Sequence, residues 1–295
     1  MIFVLGNICR DTSFYVDRLP IAGETINAKR TIVGLGGKGL NQAVAACRAR
    51  GDVTLIAAVG ADWSTEDENT VRQGSHEFFF SLLHRPGACD SSSVVIAQSG
   101  ENLIVTNAGQ SQALCVADVE SQLRLTEGDM LIVQGNLKPD VTCAAMAFAQ
   151  SAKARVIFNP APYGHWARSV AEFADVLILN AQESRAWTSE REPLAAIRTI
   201  DVPLAIVTLG DGGCLIRAGE SEPKAIPAPR VDALDTTGAG DTFVGVFAAE
   251  WNVTQDPLRA IRLALAAASA SVSKAGTLAS IPDRITIDEF RASLQ

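Results

Sequence analysis

The chain has 295 residues, of which 47% are hydrophobic and 20% are charged, and its formal net charge at pH 7 is -8. These values are typical of a globular protein and exclude an intrinsically disordered one. The negative net charge argues against a nucleic-acid partner, because the phosphate backbone would be repelled. The length suits one large α/β unit, and we predict a single domain over 1–295.

No stretch of the sequence is predicted to span a membrane. The uncharged segment 263–272 is rich in alanine and serine and is much shorter than the ~20 apolar residues that a spanning helix needs. The apolar run at the N-terminus is too short for a secretion signal and follows no basic region. We therefore expect a cytoplasmic protein with no membrane partner.

The six cysteines and three histidines show no pattern of a metal site, since no CxxC pair is present. Zinc sites usually combine such pairs with closely spaced histidines. We expect neither zinc nor disulfide bonds, and we interpret the cysteines as small thiols of the core.

Short apolar runs alternate with helical patterns along most of the chain. Near-continuous apolar runs indicate strands that are covered on both faces. The strands predicted in this way are 2–6, 53–59, 130–134, 155–159, 176–179 and 204–209. The helices predicted between them include 38–50, 140–152 and 181–187. This alternation predicts an α/β fold with a mainly parallel central sheet between two layers of helices.

Two segments depart from this alternation, residues 12–33 and 92–106. Polar and apolar residues alternate in both, proline or glycine interrupts them, and no helical pattern is present. A period of two is typical of strands with one exposed face. We interpret the two segments as antiparallel strands of a small sheet, a lid over a cleft. The exposed edges of this lid could pair two chains into a homodimer.

The last third of the chain is predicted to be helical, with helices over 239–251 and 256–274. Thr286 and Glu289 have the spacing of a capping box, which predicts that a final helix opens there.

The segment with the clearest chemical meaning reads Asp-Thr-Thr-Gly-Ala-Gly-Asp-Thr-Phe, residues 235–243. Its small residues would let an anion approach the backbone, and the following helix has unpaired N–H groups at its start. Gly238, Ala239 and Gly240 are therefore predicted to cradle a phosphoryl group. Asp241 could accept the proton of an attacking hydroxyl. One base and one anion hole are the core machinery of phosphoryl transfer.

A plainer interpretation of Asp241 is that it caps an ordinary helix after a glycine-rich turn. A bare GxGD pattern would favour that interpretation. The full segment also places a second carboxylate, Asp235, and two hydroxyls in the same loop, which favours a catalytic role.

This segment resembles the C-terminal signature of the ribokinase-like (PfkB) family of carbohydrate kinases. Other stretches resemble further motifs of that family in the same order, namely 20–25, 36–43, 159–162, 180–183 and 208–210. The resemblance runs over essentially the whole chain. It implies a ribokinase-like fold and an ATP-dependent kinase that phosphorylates a hydroxyl of a small sugar, ribose or a related pentose or hexose.

The resemblance implies a role for each matching position of the sugar site. Asp241 would be the catalytic base, and Asp11 would bind sugar hydroxyls, whereas the plainer interpretation of Asp11 is a turn residue. The implied sugar site consists of Asp11, Gly36, Gly37, Lys38, Asn41, Asn136 and Asp241. A polyol needs carboxylate and amide partners and a close approach of the backbone, and these residue types provide both.

The resemblance also implies a site for ATP and Mg²⁺. Its nucleotide positions are Asn180, Thr208, Gly210, Gly213 and Gly240. Asn180 and Glu183 match an Asn-x-x-Glu element that holds Mg²⁺ largely through water, which suits an ion that keeps several of its waters. Asn180 could cap the following helix as well.

A monovalent cation, K⁺ or Na⁺, is implied beside the anion hole. Its ligands would come from Asp235 and Thr237 and from the backbone at Ser271, Lys274 and Gly276. An oxygen-rich shell with one carboxylate suits a large, weakly hydrated ion. Alternatively, the side chain of Lys274 supplies the positive charge to Asp235.

Two departures from the family pattern concern the sugar pocket. Asn136 stands where ribose-phosphorylating members have a sugar-contacting glutamate. An amide bonds hydroxyls without a charge, which puts ribose itself in question as the substrate. Residues 62–66 replace a glycine that follows the second strand in the family, which puts the local turn in question.

Other functions stay open on the sequence alone. A nucleoside kinase of the same family would hold the base with flat side chains, for which the lid offers only Phe14 and Tyr15. A sugar sensor on the same fold would have lost the base, but Asp241 is present.

The stretch 34–39 also matches GxGxxG, and Asp62 follows at the distance expected of an NAD-dependent dehydrogenase. That pattern should directly follow the first strand, whereas non-helical sequence separates the two here. The stretch is not a Walker A loop either, because Lys38 is followed by Gly39 and not by Ser or Thr.

Overall fold

Two separate β-sheets organise the computed structural model, which describes residues 1–73 and 78–294. The strands are β1 (Ile2–Leu5), β2 (Cys9–Val16), β3 (Arg30–Gly36), β4 (Val53–Val59), β5 (Phe78–His84), β6 (Asp90–Ala97), β7 (Asn102–Asn107), β8 (Met130–Gln134), β9 (Arg155–Asn159), β10 (Val176–Asn180), β11 (Leu204–Thr208), β12 (Cys214–Ala218) and β13 (Lys224–Ile226). The α-helices are α1 (Lys38–Arg48), α2 (Thr65–Arg72), α3 (Val116–Gln122), α4 (Pro139–Ser151), α5 (Ala181–Thr188), α6 (Pro193–Thr199), α7 (Ala239–Thr254), α8 (Pro257–Ser271) and α9 (Arg284–Ser293). Short 3₁₀ helices cover Ser111–Ala113, His165–Phe173 and Gly210–Gly212.

The larger sheet has the strand order β13-β12-β11-β10-β9-β8-β1-β4-β5. All pairs from β11 to β5 are parallel, whereas β12 is antiparallel to both of its neighbours. The order of the strands reverses at β1, because the chain continues to β4 on one side and later to β8 on the other. Ligands of open α/β sheets bind beyond the carboxyl ends of the strands at such a switch point.

Helices cover both faces of this sheet, since alternate residues of each strand point to opposite sides. In β1, Ile2 and Val4 belong to a core formed with α1, α7 and α8, whereas Phe3 and Leu5 belong to a core formed with α3 and α4. The predicted three-layer α/β/α fold with a mainly parallel central sheet is confirmed. The single domain over 1–295 stays a prediction.

Helices α1 and α7 lie unusually close together because of Gly245. A Cβ atom at this position would lie 2.3 Å from the carbonyl oxygen of Gln42 and 2.7 Å from the Cβ of Ala45. This close approach sets the first turn of α7 beside the first turns of α1.

The smaller sheet has the order β3-β2-β6-β7 and takes its strands from the two segments predicted to form a lid. The hairpins β2–β3 and β6–β7 are antiparallel, as expected. The central pair β2–β6 is parallel, so the prediction of a wholly antiparallel sheet was wrong. The reason is topological, because β4, α2 and β5 separate β2 from β6 along the chain.

The predicted capping box at Thr286 and Glu289 was also wrong. The side chain of Asp283 accepts the backbone N–H of Thr286 at 2.9 Å and caps α9, which begins at Arg284. An Asp three residues earlier is at least as good a cap as Thr. The helix predicted over 256–274 ends at Ser271.

None of the helices in the two described ranges has both the length and the hydropathy that a bilayer span requires.

Candidate active site

Asp241 lies in the first turn of α7, at the switch point of the large sheet, and is only 6% exposed. Both of its carboxylate oxygens accept amide N–H groups from α1. Asn41 donates to Oδ2 at 3.1 Å and Gln42 donates to Oδ1 at 3.0 Å. The residue that caps α7 is Gly238, so the interpretation of Asp241 as a simple helix cap was wrong.

A buried chain of amides fixes Gln42 behind Asp241. The Nε2 group of Gln42 also donates to Oδ1 of Asn159 at 3.1 Å, and its Oε1 accepts from Gln134 at 2.9 Å. Asn159 in turn donates to the carbonyl of Ile178 at 2.9 Å. These partners determine which end of the Gln42 amide faces the carboxylate, so Asp241 is held in one orientation.

Lys38 is the nearest cationic side chain, with Nζ 3.8 Å from Oδ1 of Asp241. It begins α1 and is partly exposed. Its charge also acts on Glu183, whose pKa is raised mainly by burial and further by Asp241, while Lys38 opposes the rise. Lys38, Glu183 and Asp241 therefore form one electrostatic unit.

The predicted anion hole is the start of α7. Gly238 has φ of 82°, a conformation that glycine adopts without strain, and a Cβ on Gly240 would have no neighbour within 4 Å. The first N–H groups of a helix have no partners within the helix. Of the three N–H groups in this turn, that of Ala239 donates to the carbonyl of Thr236 at 3.3 Å, which leaves those of Gly238 and Gly240, among the described residues, for an anion next to Asp241.

Asp11 lies in β2 and is 9% exposed, so its interpretation as a turn residue was wrong. Burial raises its pKa to about 6, the charge of Asp241 adds to the rise, and hydrogen bonds from Ser92 and Thr277 oppose it. Thr277 donates its hydroxyl to Oδ2 at 3.3 Å. A buried carboxyl group with a raised pKa, close to the charge of Asp241, is an arrangement that hydroxyl groups of a ligand can complete.

The two glycines before α1 lie against this group. A Cβ on Gly36 would lie 1.9 Å from Oδ2 of Asp11, and Gly37 has φ of 99° with the backbone of Asn7 beside it. Neither position tolerates a side chain, and at Gly36 the backbone lies directly against the carboxylate of Asp11.

Asn136 follows β8, two residues after Gln134. Its backbone oxygen accepts the side-chain N–H of Gln112 at 2.7 Å, but neither atom of its own amide has a hydrogen-bond partner among the described residues, although both are buried. Unsatisfied buried amides are rare in proteins and indicate a missing partner. The amide is thus available to a ligand.

Asn180 and Glu183 form a reciprocal cap at the start of α5. Glu183 accepts the N–H of Asn180 at 2.9 Å, and Asn180 accepts the N–H of Glu183 at 2.8 Å. The cap uses Oε2 of Glu183, so the other carboxylate oxygen can serve a hydrated cation. An exposed amide and a carboxylate are oxygen ligands of the kind that Mg²⁺ accepts.

The predicted nucleotide loop follows β11. Thr208 donates to the carbonyl of Leu179 at 3.4 Å, Gly210 has φ of 61°, and a Cβ on Gly213 would lie 2.0 Å from the carbonyl oxygen of Ile226. Beyond it opens a cavity of about 510 Å³. Apolar side chains form much of its wall, among them Pro227, Ala228, Leu265, Ala266 and Phe290.

Asp235 is 1% exposed and its carboxylate accepts three hydrogen bonds. They come from the N–H of Thr237 to Oδ1 at 3.0 Å, and from the N–H of Gly276 and the hydroxyl of Tyr15 to Oδ2 at 3.0 and 2.8 Å. The hydroxyl oxygen of Thr237 is buried without a partner in the described chain. Together these oxygens fit a weakly hydrated monovalent cation.

The side chains of two other predicted cation ligands, Ser271 and Lys274, interact elsewhere. The hydroxyl of Ser271 donates to Ala268 at 2.8 Å within its own helix. Lys274 is exposed, and among the ion pairs of the described residues none joins it to Asp235. Its charge contributes to lowering the pKa of Asp283, after the hydrogen bonds from Thr286.

The turn at 62–66 is well formed without the glycine of the family pattern. Ser64 caps α2 and pairs with Asp67. Arg10, the neighbour of Asp11, donates to both carboxylate oxygens of Asp67 at 3.0 and 2.9 Å and to the carbonyl of Asp62 at 2.9 Å. These bonds anchor β2 to the large sheet's layer of helices.

The sequence did not predict the contacts that six residues make in the site, namely Tyr15, Gln42, Ser92, Gln134, Asn159 and Thr277. Gln42 and Thr277 directly follow residues that were found, Asn41 and Gly276, so their motifs carried a signal. No sequence signal predicted the contacts of Tyr15 and Ser92, because these contacts depend on how the small sheet packs against the rest of the protein.

Comparison with known proteins agrees with this geometry. The model of the family described as pfkB family carbohydrate kinase matches residues 1–284. A mouse ribokinase is 30% identical over 260 residues, covering 84% of this chain and 80% of its own length. A deoxyribokinase from Salmonella typhi is 30% identical over 302 residues, covering 98% of each chain.

The solved structures include a ribokinase from Cryptococcus neoformans var. grubii serotype A in complex with ADP. It superposes with a TM-score of 0.86 at 26% identity and covers 98% of both chains. In this chain the GxGxxG stretch at 34–39 belongs to β3 and α1 and is not the segment that directly follows β1 in the sequence, so the dehydrogenase alternative was wrong. The chain belongs to the PfkB family of carbohydrate kinases.

Proposed function

We propose that this kinase transfers the γ-phosphoryl group of Mg·ATP to a hydroxyl of a small sugar, with Asp241 as the catalytic base. The observation that carries the proposal is the buried Asp241 carboxylate in the first turn of α7, beside the N–H groups of Gly238 and Gly240. Its two oxygens are held by Asn41 and Gln42 at 3.1 and 3.0 Å. A base and an anion hole thus lie side by side in a fixed geometry.

The reaction follows from these positions. Asp241 takes the proton of the attacking hydroxyl as its oxygen forms a bond to the γ-phosphorus, and the bond from that phosphorus to the β–γ bridging oxygen breaks, which leaves ADP. The N–H groups at the start of α7 and the ammonium group of Lys38 stabilise the charge on the transferring group.

The sugar would lie between the two carboxylates. Asp11, the backbone at Gly36 and Gly37, Asn41 and the free amide of Asn136 are the groups that would bind its hydroxyls. The names of the relatives favour ribose, deoxyribose or a similar pentose as the acceptor. A nucleoside is the second candidate, but Tyr15, one of the two aromatic residues considered for the base, is engaged with Asp235.

The nucleotide would extend from the anion hole toward the loop after β11. Thr208, Gly210 and Gly213 would contact its phosphates and ribose, and the cavity walled by Pro227 and Ala228 has room for a base. Asn180 and Glu183 would hold Mg²⁺ through water, where the ion would neutralise the phosphate oxygens. Asp235, Thr237 and the backbone near Gly276 would hold K⁺ or Na⁺.

We propose that the small sheet is the lid of the sugar site and that it pairs two chains. Its edge strand β7 is exposed along its whole length, including Leu103, Ile104 and Val105, of which Val105 is 64% exposed. Apolar edge strands favour association. A molar mass of two chains in light scattering, lost in Val105→Lys, is the expected result.

The direct test of the function is ADP release from Mg·ATP over a panel of pentoses, hexoses and nucleosides. We expect one sugar to give a kcat/KM at least ten times that of any nucleoside. A nucleoside with the highest kcat/KM of the panel would show that the protein is instead a nucleoside kinase. No ADP release above the acceptor-free rate with any compound would contradict the proposal.

A further inference from the structure

Tyr15 connects the small sheet to the loop that opens α7. Its hydroxyl donates to Oδ2 of Asp235 at 2.8 Å across 220 positions of sequence. Asp235 has no access to bulk water, being 1% exposed. A hydrogen bond to such a buried carboxylate is charge-assisted and among the stronger kinds.

The same strand also contacts Thr277, in the segment that follows α8. Asp11 and Tyr15 are four residues apart in β2 and therefore lie on one face of it. Asp11 accepts the hydroxyl of Thr277 at 3.3 Å, while Tyr15 shares the Asp235 oxygen with the N–H of Gly276 at 3.0 Å. Strand β2 thus touches both the sugar side and the phosphate side of the site.

The hydroxyl of Tyr15 stays protonated at neutral pH, as a donor must. Burial raises the pKa of Tyr15 to about 12, and the hydrogen bond to Asp235 contributes to the rise. The carboxylate therefore keeps this donor over the pH range in which kinases are assayed.

Asp235 needs positive partners because a buried carboxylate without them is costly. Its carboxylate also holds the N–H of Thr237, the residue just before Gly238, at 3.0 Å. Losing the tyrosine donor would leave the carboxylate more dependent on a nearby cation and would loosen the turn that forms the anion hole.

We propose that Tyr15 is a positioning residue of this kinase, which holds Asp235 and through it the anion hole, and which shares with a monovalent cation the work of neutralising that carboxylate. The proposal rests on the function proposed above. It assigns a role in phosphoryl transfer to a residue of the lid that belongs neither to the proposed sugar site nor to the proposed nucleotide site.

The test compares Tyr15→Phe with Tyr163→Phe, which changes the chain's other tyrosine. Tyr163 is a matched control, because its hydroxyl is buried without a partner in the described residues. For each protein, kcat is measured in choline chloride and in KCl at equal ionic strength. The melting temperature without substrates is measured in the same two salts.

We expect the ratio of kcat in KCl to kcat in choline to be about tenfold higher in Tyr15→Phe than in the wild type, as the loss of one hydrogen bond to a charged group would cause. We also expect KCl to raise the melting temperature more in Tyr15→Phe. Tyr163→Phe should match the wild type in both respects.

An unchanged kcat ratio in Tyr15→Phe would overturn the proposal, whether the variant is fully active or equally impaired in both salts. If the wild type phosphorylates no acceptor, the proposed function fails. In that case the melting temperatures still test the role of Tyr15. An equal rise of the melting temperature from choline chloride to KCl in the wild type and both variants would reject that role.

Discussion

At the scale of single residues, the two carboxylates of the site differ in what surrounds them. Asp241 has two amide donors, whereas Asp11 is buried with weaker partners and its pKa is raised to about 6. The contrast suits their proposed roles, since Asp241 would accept a proton and Asp11 would bind the hydroxyls of a sugar.

The raised pKa of Asp11 predicts a cost in stability. Between its usual value near 4 and about 6 the folded protein binds more protons than the unfolded chain, so the free energy of unfolding falls as pH rises through that window. Asp11→Asn should therefore stabilise the protein at pH 7.5 by up to about 3 kcal/mol, and the gain should vanish below pH 4. Denaturant unfolding at both pH values measures it.

The same substitution should raise the KM for the sugar and leave the KM for ATP nearly unchanged, which separates the binding role from the effect on stability. Equal unfolding free energies for variant and wild type at pH 7.5 would show that folding without a ligand does not raise the pKa of Asp11.

Asn136 should determine which sugar is preferred. Its amide is buried and has no partner within 1–73 and 78–294, so a substitution there changes the pocket without breaking a side-chain hydrogen bond seen in that part of the chain. Asn136→Glu should shift the ratio of kcat/KM values toward ribose, measured over the sugar panel with Asn136→Gln as the control for size. The same ratios in all three proteins would remove Asn136 from the pocket.

At the scale of elements, the site depends on the close contact of α1 with α7. Gly245→Ala would force a Cβ to within 2.3 Å of the carbonyl oxygen of Gln42. We expect a loss of stability of about 1–3 kcal/mol and a lower kcat, because Asn41 and Gln42 would move relative to Asp241. Thermal unfolding and kcat together test this.

Gly34→Ala is the control for that substitution. Gly34 lies in β3, and a Cβ there would meet no atom within 4 Å. An equal loss of stability in the two variants would mean that the packing of α1 on α7 is not what limits the site.

The elements that could be predicted from the sequence are those with strong patterns. The parallel strands read as continuous apolar runs, and the loop at 235–243 combined glycines with a carboxylate. The edge strands β5 and β13, the strand β12 beside β13, and the short helices α2, α3 and α6 were missed, because their local patterns do not decide their position, which depends on packing. The parallel pairing of β2 with β6 depends on the docking of distant segments and has no local signal.

At the scale of the whole molecule, the sequence predicted the fold and the site's separate motifs but not how they are joined. Asp241, Asp11 and Asp235 were each identified along the chain. The amide chain through Gln42 and the tyrosine contact to Asp235 appeared only in three dimensions, since they join elements that are far apart in sequence.

The proposed function requires Asp241 to act as the base of a phosphoryl transfer. The measurement that tests it is the rate of ADP release by Asp241→Asn, with the best sugar of the panel and saturating Mg·ATP, alongside ATP binding and the melting temperature. We expect kcat to fall by about 10²–10⁴-fold while ATP binding and the fold are retained. A variant that keeps more than about a tenth of the wild-type kcat, well above the loss expected for a general base, would contradict the account.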